Sequence, residues 1–263
     1  MTRRIKRSKE YELTLVINDE SFINPPREFQ RNAILTKTIN EFARELNHLD
    51  RQARTYVTGA LEPGLSTDRT QSLLTDQQIM EDWQIPLMRA MADAICQSKG
   101  DILEIGFGRG ISSSMIQDYK VQSHTIIECN PHVIDKFKHW KLQQSGQNIY
   151  LITGLWQDTI DKLPLYDGIF FHTYPLNKEE YLKYVHGSVT FAEHFFRTAS
   201  EHLRPGGKFT YFSNEIDSVS RPHQRALFEN FTEISTSLVK LDLPKDVKDT
   251  WWTNSIVLIK AIK

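Results

Sequence analysis

From residue 101 to the end of the chain, short apolar runs alternate with segments in which apolar residues recur every three or four positions. The short runs predict buried strands, and the longer spacing predicts amphipathic helices. Helices are predicted after the first strand through about Tyr119, from Pro131 onward, and over Ser188–Leu203, where Arg204-Pro205-Gly206-Gly207 signals a stop. Strands are predicted at Asp101–Ile105, His124–Glu128, Asn148–Thr153, Asp167–His172, Lys208–Ser213, Phe231–Leu241 and Trp251–Ile262. This alternation predicts an α/β fold, a doubly wound and mostly parallel sheet with helices on both faces.

The N-terminal part of the chain has a different pattern. A basic tail, which we expect to be frayed, precedes an extended piece at Tyr11–Ile17. Amphipathic helices are predicted over Asn32–Leu61 and Thr75–Gln97, with Thr75 or Asp76 as N-cap and Pro86 at a turn or kink. These helices are interpreted either as a packing layer or as a lid over a site in the following domain. The predicted organisation is a basic tail and extended segment at 1–30, a helical lid at 31–98 and a catalytic domain at 99–263.

Composition excludes several classes of protein. The 263 residues carry 32 Lys plus Arg against 33 Asp plus Glu, so the net charge of -1 argues against a strongly basic nucleic-acid binder. No apolar run approaches the roughly 18 residues of a membrane-spanning helix. Cys96 and Cys129 are the only cysteines, which fits a reducing cytosol and excludes a disulfide framework or a zinc cluster. The histidines have no metal-ligand spacing, so no metal is expected.

A glycine-rich turn follows the first strand of the predicted sheet. Gly106, Gly108 and Gly110 form a Gly-x-Gly-x-Gly pattern, in which the third glycine comes one residue earlier than in the dinucleotide-binding motif. Glu128 ends the next strand, where an acid accepts hydrogen bonds from the two hydroxyls of a ribose. Open α/β sheets bind ligands beyond the carboxyl ends of their strands. The two features together predict an adenosine site in a methyltransferase-type fold.

Several motifs resemble those of guanidinoacetate N-methyltransferase and its relatives, including fungal arginine methyltransferases. The more specific motifs are Ile126-Ile127-Glu128-Cys129-Asn130 and Gly154-Leu155-Trp156-Gln157-Asp158, and the matching stretches span about residues 77 to 215. The resemblance implies a Rossmann-like class I methyltransferase sheet, S-adenosylmethionine (SAM) as cofactor, and an N-terminal segment folded over the site. It assigns the methionine part of SAM to the glycine turn, the ribose to the Glu128 segment and the adenine to the Gly154 segment. The cofactor residues implied are Gly106, Phe107, Gly108, Arg109, Gly110, Ile111, Glu128, Cys129, Asn130, Gly154, Leu155, Trp156 and Gln157.

The acceptor site departs from the family pattern. In the family two carboxylates grip the acceptor guanidinium; Glu81 matches the first, but His172 stands where the second carboxylate, which is also the base, is expected. A protonated imidazole would repel a guanidinium, whereas a neutral one can accept a proton. We therefore expect His172 as base or orienter, Glu81 as the anchor for the acceptor's positive end, and Tyr174 as a pocket wall. Trp83, Phe171, Asn214 and Glu215 complete the expected substrate site, and an acid at position 215 disfavours guanidinoacetate itself.

Four functions stay open at this point. The leading one is SAM-dependent N-methylation of a small amine or guanidine compound, in natural-product biosynthesis in the cytoplasm. The second uses SAM alone and cyclises it to azetidine-2-carboxylate and methylthioadenosine, with Phe107, Trp83, Phe171 and Tyr174 facing the sulfonium. The third is a catalytically silent SAM-binding protein, and the fourth is modification of an arginine in a protein. The expected partners include neither nucleic acid nor membrane; the sequence does not set the oligomeric state, and a homodimer stays open.

Overall fold

The computed structural model describes residues 2–7, 11–16, 69–144, 148–186, 188–213, 215, 218–244 and 254–263. The chain divides into two compact units, Met1–Ala53 and Arg54–Lys263. In the first unit, β1 (Thr2–Arg7) pairs antiparallel with β2 (Tyr11–Val16), and Arg7 stands opposite Tyr11. The second strand confirms the predicted extended piece, but the expectation of a frayed basic tail is wrong because backbone pairing orders it. The helix predicted over Asn32–Leu61 lies outside the described residues.

The described part of the second unit contains seven strands: β3 (Asp101–Ile105), β4 (Ser123–Glu128), β5 (Ile149–Thr153), β6 (Tyr166–Phe171), β7 (Leu203–Phe212), β8 (Glu233–Lys240) and β9 (Ser255–Ile262). They form one mixed sheet in the order β5-β4-β3-β6-β7-β9-β8. The strands β3 to β7 are parallel, and β9 pairs antiparallel with both β7 and β8. This order confirms the doubly wound α/β fold.

Helices pack on both faces of this sheet and bury apolar side chains against it. The apolar cluster on one face contains Leu87 and Met91, and the cluster on the other face contains Phe195 and Phe209. The helices are α1 (Asp76–Ile79), α2 (Ile85–Cys96), α3 (Ile111–Asp118), α4 (Pro131–Leu142), α5 (Trp156–Thr159), α6 (Lys178–Glu180), α7 (Phe196–Glu201) and α8 (Arg221–Phe228). Short 3₁₀ turns lie at Asp82–Gln84, Ile160–Lys162 and Phe191–Phe195, and a π-helical turn lies at Tyr181–His186.

The helix predicted over Thr75–Gln97 is broken in the structure. Thr75 caps α1 through a capping box with Gln78, but the chain becomes extended at Met80 and Glu81. A new helix then starts with Pro86 in its first turn, where the absent N–H of proline costs no hydrogen bond. The predicted single helix is therefore two helices separated by an extended link. The helix predicted over Ser188–Leu203 is also shorter, because a 3₁₀ turn occupies Phe191–Phe195 and α7 spans only Phe196–Glu201. The stop predicted at Arg204-Pro205-Gly206-Gly207 lies within β7, which already begins at Leu203. α8 is an additional element that the sequence does not predict.

An ion-pair cluster lies at the amino ends of the strands, opposite the predicted site. Arg204 contacts Asp101 through Nη2 at 2.8 Å and Asp167 through Nη1 at 2.7 Å. Asp167 also accepts a hydrogen bond from the Asp101 amide at 2.7 Å. The cluster therefore joins the starts of β3, β6 and β7.

None of the helices in the described ranges has the length and apolar content needed to cross a bilayer. No group of three or more His, Cys, Asp or Glu side chains in the same part of the chain could hold a metal ion.

Candidate functional site

The candidate site lies where the direction of strand addition reverses. β3 stands between β4 on one side and β6 on the other, so a crevice opens beyond the carboxyl ends of β3 and β6. Gly106 follows β3 and His172 follows β6. A Cβ atom placed on Gly106 would lie 2.9 Å from the His172 carbonyl oxygen, so the two strand ends approach each other closely there. The predicted base and the predicted cofactor turn are therefore neighbours.

The turn after β3 depends on glycine conformations. Gly106, Gly108 and Gly110 have φ values of +90°, +57° and +74°, in the left-handed region that strains other residues. Three of its five positions thus carry no side chain, and Gly110 leads directly into α3. Such a turn lets a ligand approach the backbone at the start of a helix, so it fits the methionine end of SAM.

A buried polar cluster connects the elements on either side of the glycine turn. Ser112 and Ser113, in the first turn of α3, each donate a 2.5 Å hydrogen bond to one carboxylate oxygen of Glu104. His124 Nε2 lies 3.0 Å from Glu104 Oε2 but is not aligned to donate to it, and its Nδ1 pairs with Gln117. The cluster ties β3 to α3 across the turn. The sequence signal for it is an acid within an otherwise apolar strand.

Glu128 faces the glycine turn at the end of β4 and is 8% exposed. Its Oε1 accepts hydrogen bonds from the amides of Cys129 and Asn130 at 2.8 and 2.9 Å. Its Oε2 accepts from the amides of Phe107 and Gly108 at 3.0 and 3.5 Å. Since a carboxylate offers about four acceptor positions, a ribose diol at Glu128, as the sequence predicts, would have to replace contacts from the turn. The 3.5 Å contact is the weakest of these.

Asn130 links α4 to the segment before α2. Its Oδ1 caps α4 by accepting from the amides of His132 and Val133 at 2.9 and 3.3 Å. Its Nδ2 donates to the carbonyl oxygens of Arg69 and Ser72, each at 2.8 Å. Asn130 therefore holds residues 69–84, here termed the strap, beside the end of β4. The strap thus adjoins the site, as a lid would, whereas α2, which also belongs to the predicted lid, is a packing layer against the sheet.

Arg109 differs most from its expected role. Its Nη1 donates to the Met80 carbonyl at 2.8 Å and to Asp82 Oδ1 at 2.6 Å. Above the same turn, a Cβ on Gly108 would meet the Ile79 side chain at 3.1 Å. The guanidinium of Arg109 thus contacts the strap, and the strap covers the glycine turn.

His172, the expected base, has a half-buried side chain next to an aromatic ring. Its ring lies against Phe212, with 5.4 Å between centroids. Burial lowers the pKa of His172 from 6.5 to about 4, because desolvation disfavours the charged imidazolium. The imidazole is therefore neutral at pH 7, as a proton acceptor must be, but so low a pKa makes it a weak base.

Glu81 and Tyr174 are both held by neighbouring side chains. The indole N–H of Trp83 donates to Glu81 Oε2 at 3.1 Å, while the Trp83 ring is buried in the cluster around α2. The guanidinium of Arg69 lies over the Tyr174 ring, 4.6 Å from its centroid. Tyr174 thus forms a wall next to the strap, and a cation of the chain itself covers one face of its ring.

Of the four aromatic rings expected to face a sulfonium, Phe107 and Phe171 are core residues, and Trp83 is buried in the cluster around α2. Phe107 is 2% exposed and packs edge-on against Phe137 and Trp140. Phe171 is also 2% exposed and stacks on Phe195 with centroids 4.6 Å apart. The expectation is therefore wrong for these rings, because apolar side chains on both faces of the sheet enclose them.

The segment expected around adenine follows β5. Gly154 has φ +133°, Leu155 precedes the first turn of α5, and Gln157 is exposed. The Trp156 ring packs against Phe195 at 4.8 Å, so only part of this residue is open to a ligand. Cys129 and Ile111, also expected at the cofactor, are both half-buried.

Of the two acceptor contacts expected after β7, Glu215 is described and has a different role. Asn214 lies outside the described residues. Glu215 Oε2 contacts His223 Nδ1 at 2.8 Å, and His223 in turn contacts the Tyr211 hydroxyl. Burial acts to raise the pKa of Glu215, but the hydrogen bonds from His223 and Ser220 outweigh it and keep this pKa below its ordinary value. Glu215 thus holds the loop after β7 rather than presenting a free carboxylate.

Comparison with known proteins finds a matching family. The family model for guanidinoacetate N-methyltransferase matches residues 63–257. A protein arginine N-methyltransferase 2 from Candida glabrata is 34% identical over 113 residues, which are 40% of this chain and 27% of that protein. One from Emericella nidulans is 28% identical over 198 residues, 69% of this chain and 43% of that protein. The chain thus spans less than half the length of these relatives.

Solved structures support the fold. The N-methyltransferase NodS from Bradyrhizobium japonicum WM9 superimposes with a TM-score of 0.50 at 15% identity, over 70% of this chain and 97% of that one. A precorrin-6y C5,15-methyltransferase from Geobacter metallireducens GS-15 gives 0.51 at 14% identity, over 76% and 100%. Because the family model covers about three quarters of the sequence, this chain belongs to the guanidinoacetate N-methyltransferase family, whose cofactor is SAM.

Proposed function

We propose that this chain is a SAM-dependent N-methyltransferase whose acceptor is a small amine or guanidine compound. The observation that carries the proposal is a half-buried, neutral His172 that follows β6 beside the glycine turn. Bound SAM supplies an electrophilic methyl group on its sulfonium sulfur. The residues of the chain have to orient an acceptor nitrogen, take up its proton and exclude water.

Each of these tasks has a candidate residue. Glu81 binds the positive end of the acceptor, and Trp83 fixes one carboxylate oxygen by its 3.1 Å hydrogen bond. An unprotonated nitrogen of the His172 imidazole accepts the proton that leaves the acceptor nitrogen. The strap limits access of water, since it covers the glycine turn and adjoins Tyr174. Orientation and proton uptake together account for the chemistry without a second carboxylate.

A second candidate reaction uses SAM alone and forms azetidine-2-carboxylate and methylthioadenosine. The missing second carboxylate favours it, because His172 stands where the family's partner for a guanidinium is expected, although Arg69 occupies the Tyr174 ring face that a sulfonium would use. In that reaction the amino group of the methionine arm attacks its own γ-carbon. The neutral imidazole of His172 would take the ammonium proton there as well.

The printed names of the relatives also raise arginine in a protein as an acceptor. The strap argues against this, because a protein segment needs an open groove and the described strap crosses the strand ends. A cytoplasmic role in natural-product biosynthesis stays part of the proposal, as does binding of neither nucleic acid nor membrane. The oligomeric state, a homodimer included, stays open.

One experiment separates these functions. The purified protein is incubated with SAM alone, then with panels of small amines, guanidines and arginine peptides, and the nucleoside product is identified by mass spectrometry. S-adenosylhomocysteine formed only with a small amine or guanidine supports the proposal. Methylthioadenosine without an acceptor supports cyclisation, product with arginine peptides alone supports protein modification, and binding without any product supports a silent SAM-binding protein.

A further inference from the structure

Arg109 connects the cofactor turn to the segment that carries the acceptor anchor. A single nitrogen, Nη1, donates to the Met80 carbonyl at 2.8 Å and to Asp82 Oδ1 at 2.6 Å. These two contacts fix the residues on either side of Glu81. The Arg109 side chain is only 17% exposed, so water competes weakly for its hydrogen bonds, although Asp82 is 65% exposed.

Helical hydrogen bonds reach only the two edges of this link. The Met80 amide donates to the Asp76 carbonyl at 2.9 Å, and the Glu81 carbonyl accepts from the Gln84 amide at 3.1 Å. Between them Glu81 is extended, with φ -81° and ψ 150°. Short helical turns are marginal on their own, so contacts with other parts of the chain add support here. The two Arg109 contacts supply such support, and the Ile79 side chain over Gly108 supplies an apolar one.

We propose that Arg109 is a positioning residue that holds Glu81 at the acceptor site and couples it to the glycine turn. The inference rests on the proposed function for the role of Glu81. The glycine turn fits SAM, and Arg109 connects this turn to the link around Glu81. A ligand that orders the turn should therefore also order the link. By linkage, an acceptor bound at Glu81 then raises the affinity of the turn for the cofactor by the same factor.

The test compares two variants of matched length by hydrogen–deuterium exchange of residues 77–84, with and without S-adenosylhomocysteine. Arg109→Met removes the donors while keeping a long side chain. Arg109→Lys keeps a cation, and because one nitrogen makes both contacts, the three donors of an ammonium can reproduce them. Asp82→Asn tests the other partner without altering the glycine turn. Arg89→Ala, which breaks the exposed Arg89–Asp118 pair at 2.9 Å, is the control.

We expect Arg109→Met to raise exchange in residues 77–84 by about tenfold, as loss of charge-assisted hydrogen bonds implies. Arg109→Lys should restore most of the protection, Asp82→Asn should lose part of it, and Arg89→Ala should match the wild type. S-adenosylhomocysteine should slow exchange of these residues in the wild type but not in Arg109→Met.

The inference is overturned if Arg109→Met leaves exchange unchanged and instead weakens calorimetric binding of S-adenosylhomocysteine more than about tenfold. Arg109 would then be a ligand of the cofactor, as the sequence alone predicts. It is also overturned if lysine fails to restore protection in a protein that still folds. Neither measurement needs turnover, so absence of methylated product would count against the proposed function and not against this contact.

Discussion

Replacing His172 by aspartate restores the second carboxylate that the family pattern expects. The substituted side chain would occupy a half-buried position, where desolvation already lowers the histidine pKa to about 4. The same burial disfavours a lone carboxylate and favours one that is paired with a cation. The variant should therefore prefer acceptors that carry a fixed positive charge next to the reacting nitrogen.

The size of the effect follows from the hydrogen bonds that a guanidinium can make. A planar guanidinium pairs with a carboxylate through two parallel N–H bonds, and hydrogen bonds to charged groups contribute about 1.5–3 kcal/mol. That range corresponds to roughly 10- to 100-fold in kcat/KM for guanidine acceptors. Glu81 stays in place as the first carboxylate, held by its 3.1 Å bond from Trp83.

The assay measures kcat/KM of the wild type and His172→Asp over matched amine and guanidine panels with saturating SAM. His172→Asn is the control, because it has the shape of aspartate without its charge. The ratio of guanidine to amine turnover should rise in the aspartate variant alone. Improved turnover on amines with no gain on guanidines would refute the assignment of position 172 to the acceptor site.

Three further predictions concern stability. Left-handed backbone strain alone should cost an alanine about 1–2 kcal/mol of unfolding free energy. Gly106→Ala should lose more than this in thermal unfolding, because its Cβ would lie 2.9 Å from the His172 carbonyl oxygen. The control Gly206→Ala should lose only the strain, because Gly206 has φ +77° but no atom within 4 Å of the added Cβ. Arg204→Ala should lower the unfolding free energy in urea by about 1 kcal/mol and leave turnover unchanged, since its ion pairs are partly exposed and far from the strand carboxyl ends. Burial lowers the pKa of His172 and His194 from 6.5 to about 4. Between these pH values the unfolded chain binds more protons than the folded one, so the unfolding free energy should fall as the pH falls from 6.5 to 4. An unfolding free energy that does not change over this range would contradict the lowered pKa of both histidines.

The sheet could be predicted because its signals are local. The strands β3 to β6 are short, mainly apolar runs with a glycine, an acid or a histidine at or just after the end, and Pro131 marks the first turn of α4. The longer β7 is the exception, since it includes Arg204-Pro205-Gly206-Gly207. Such runs fit a buried parallel strand whatever the distant parts of the chain do. The strand ends then place Gly106, Glu128 and His172 at one edge without any knowledge of packing.

Side-chain directions in turns could not be predicted in this way. Phe107 and Arg109 lie in the same turn, yet one ring enters the core and the other side chain contacts the strap. Hydrophobic periodicity does not apply to a turn that contains left-handed glycines, so the direction depends on tertiary contacts. The break at Met80 and Glu81 has the same cause, because its extended link is supported by a residue 29 positions along the chain.

The most direct test of the account is a crystal structure of the protein with S-adenosylhomocysteine. We predict the ribose hydroxyls on the Glu128 carboxylate, with the Gly108 contact released, and the sulfur between the glycine turn and His172. A crevice filled by the strap, or a ligand bound away from the carboxyl ends of β3 and β4, would contradict the account.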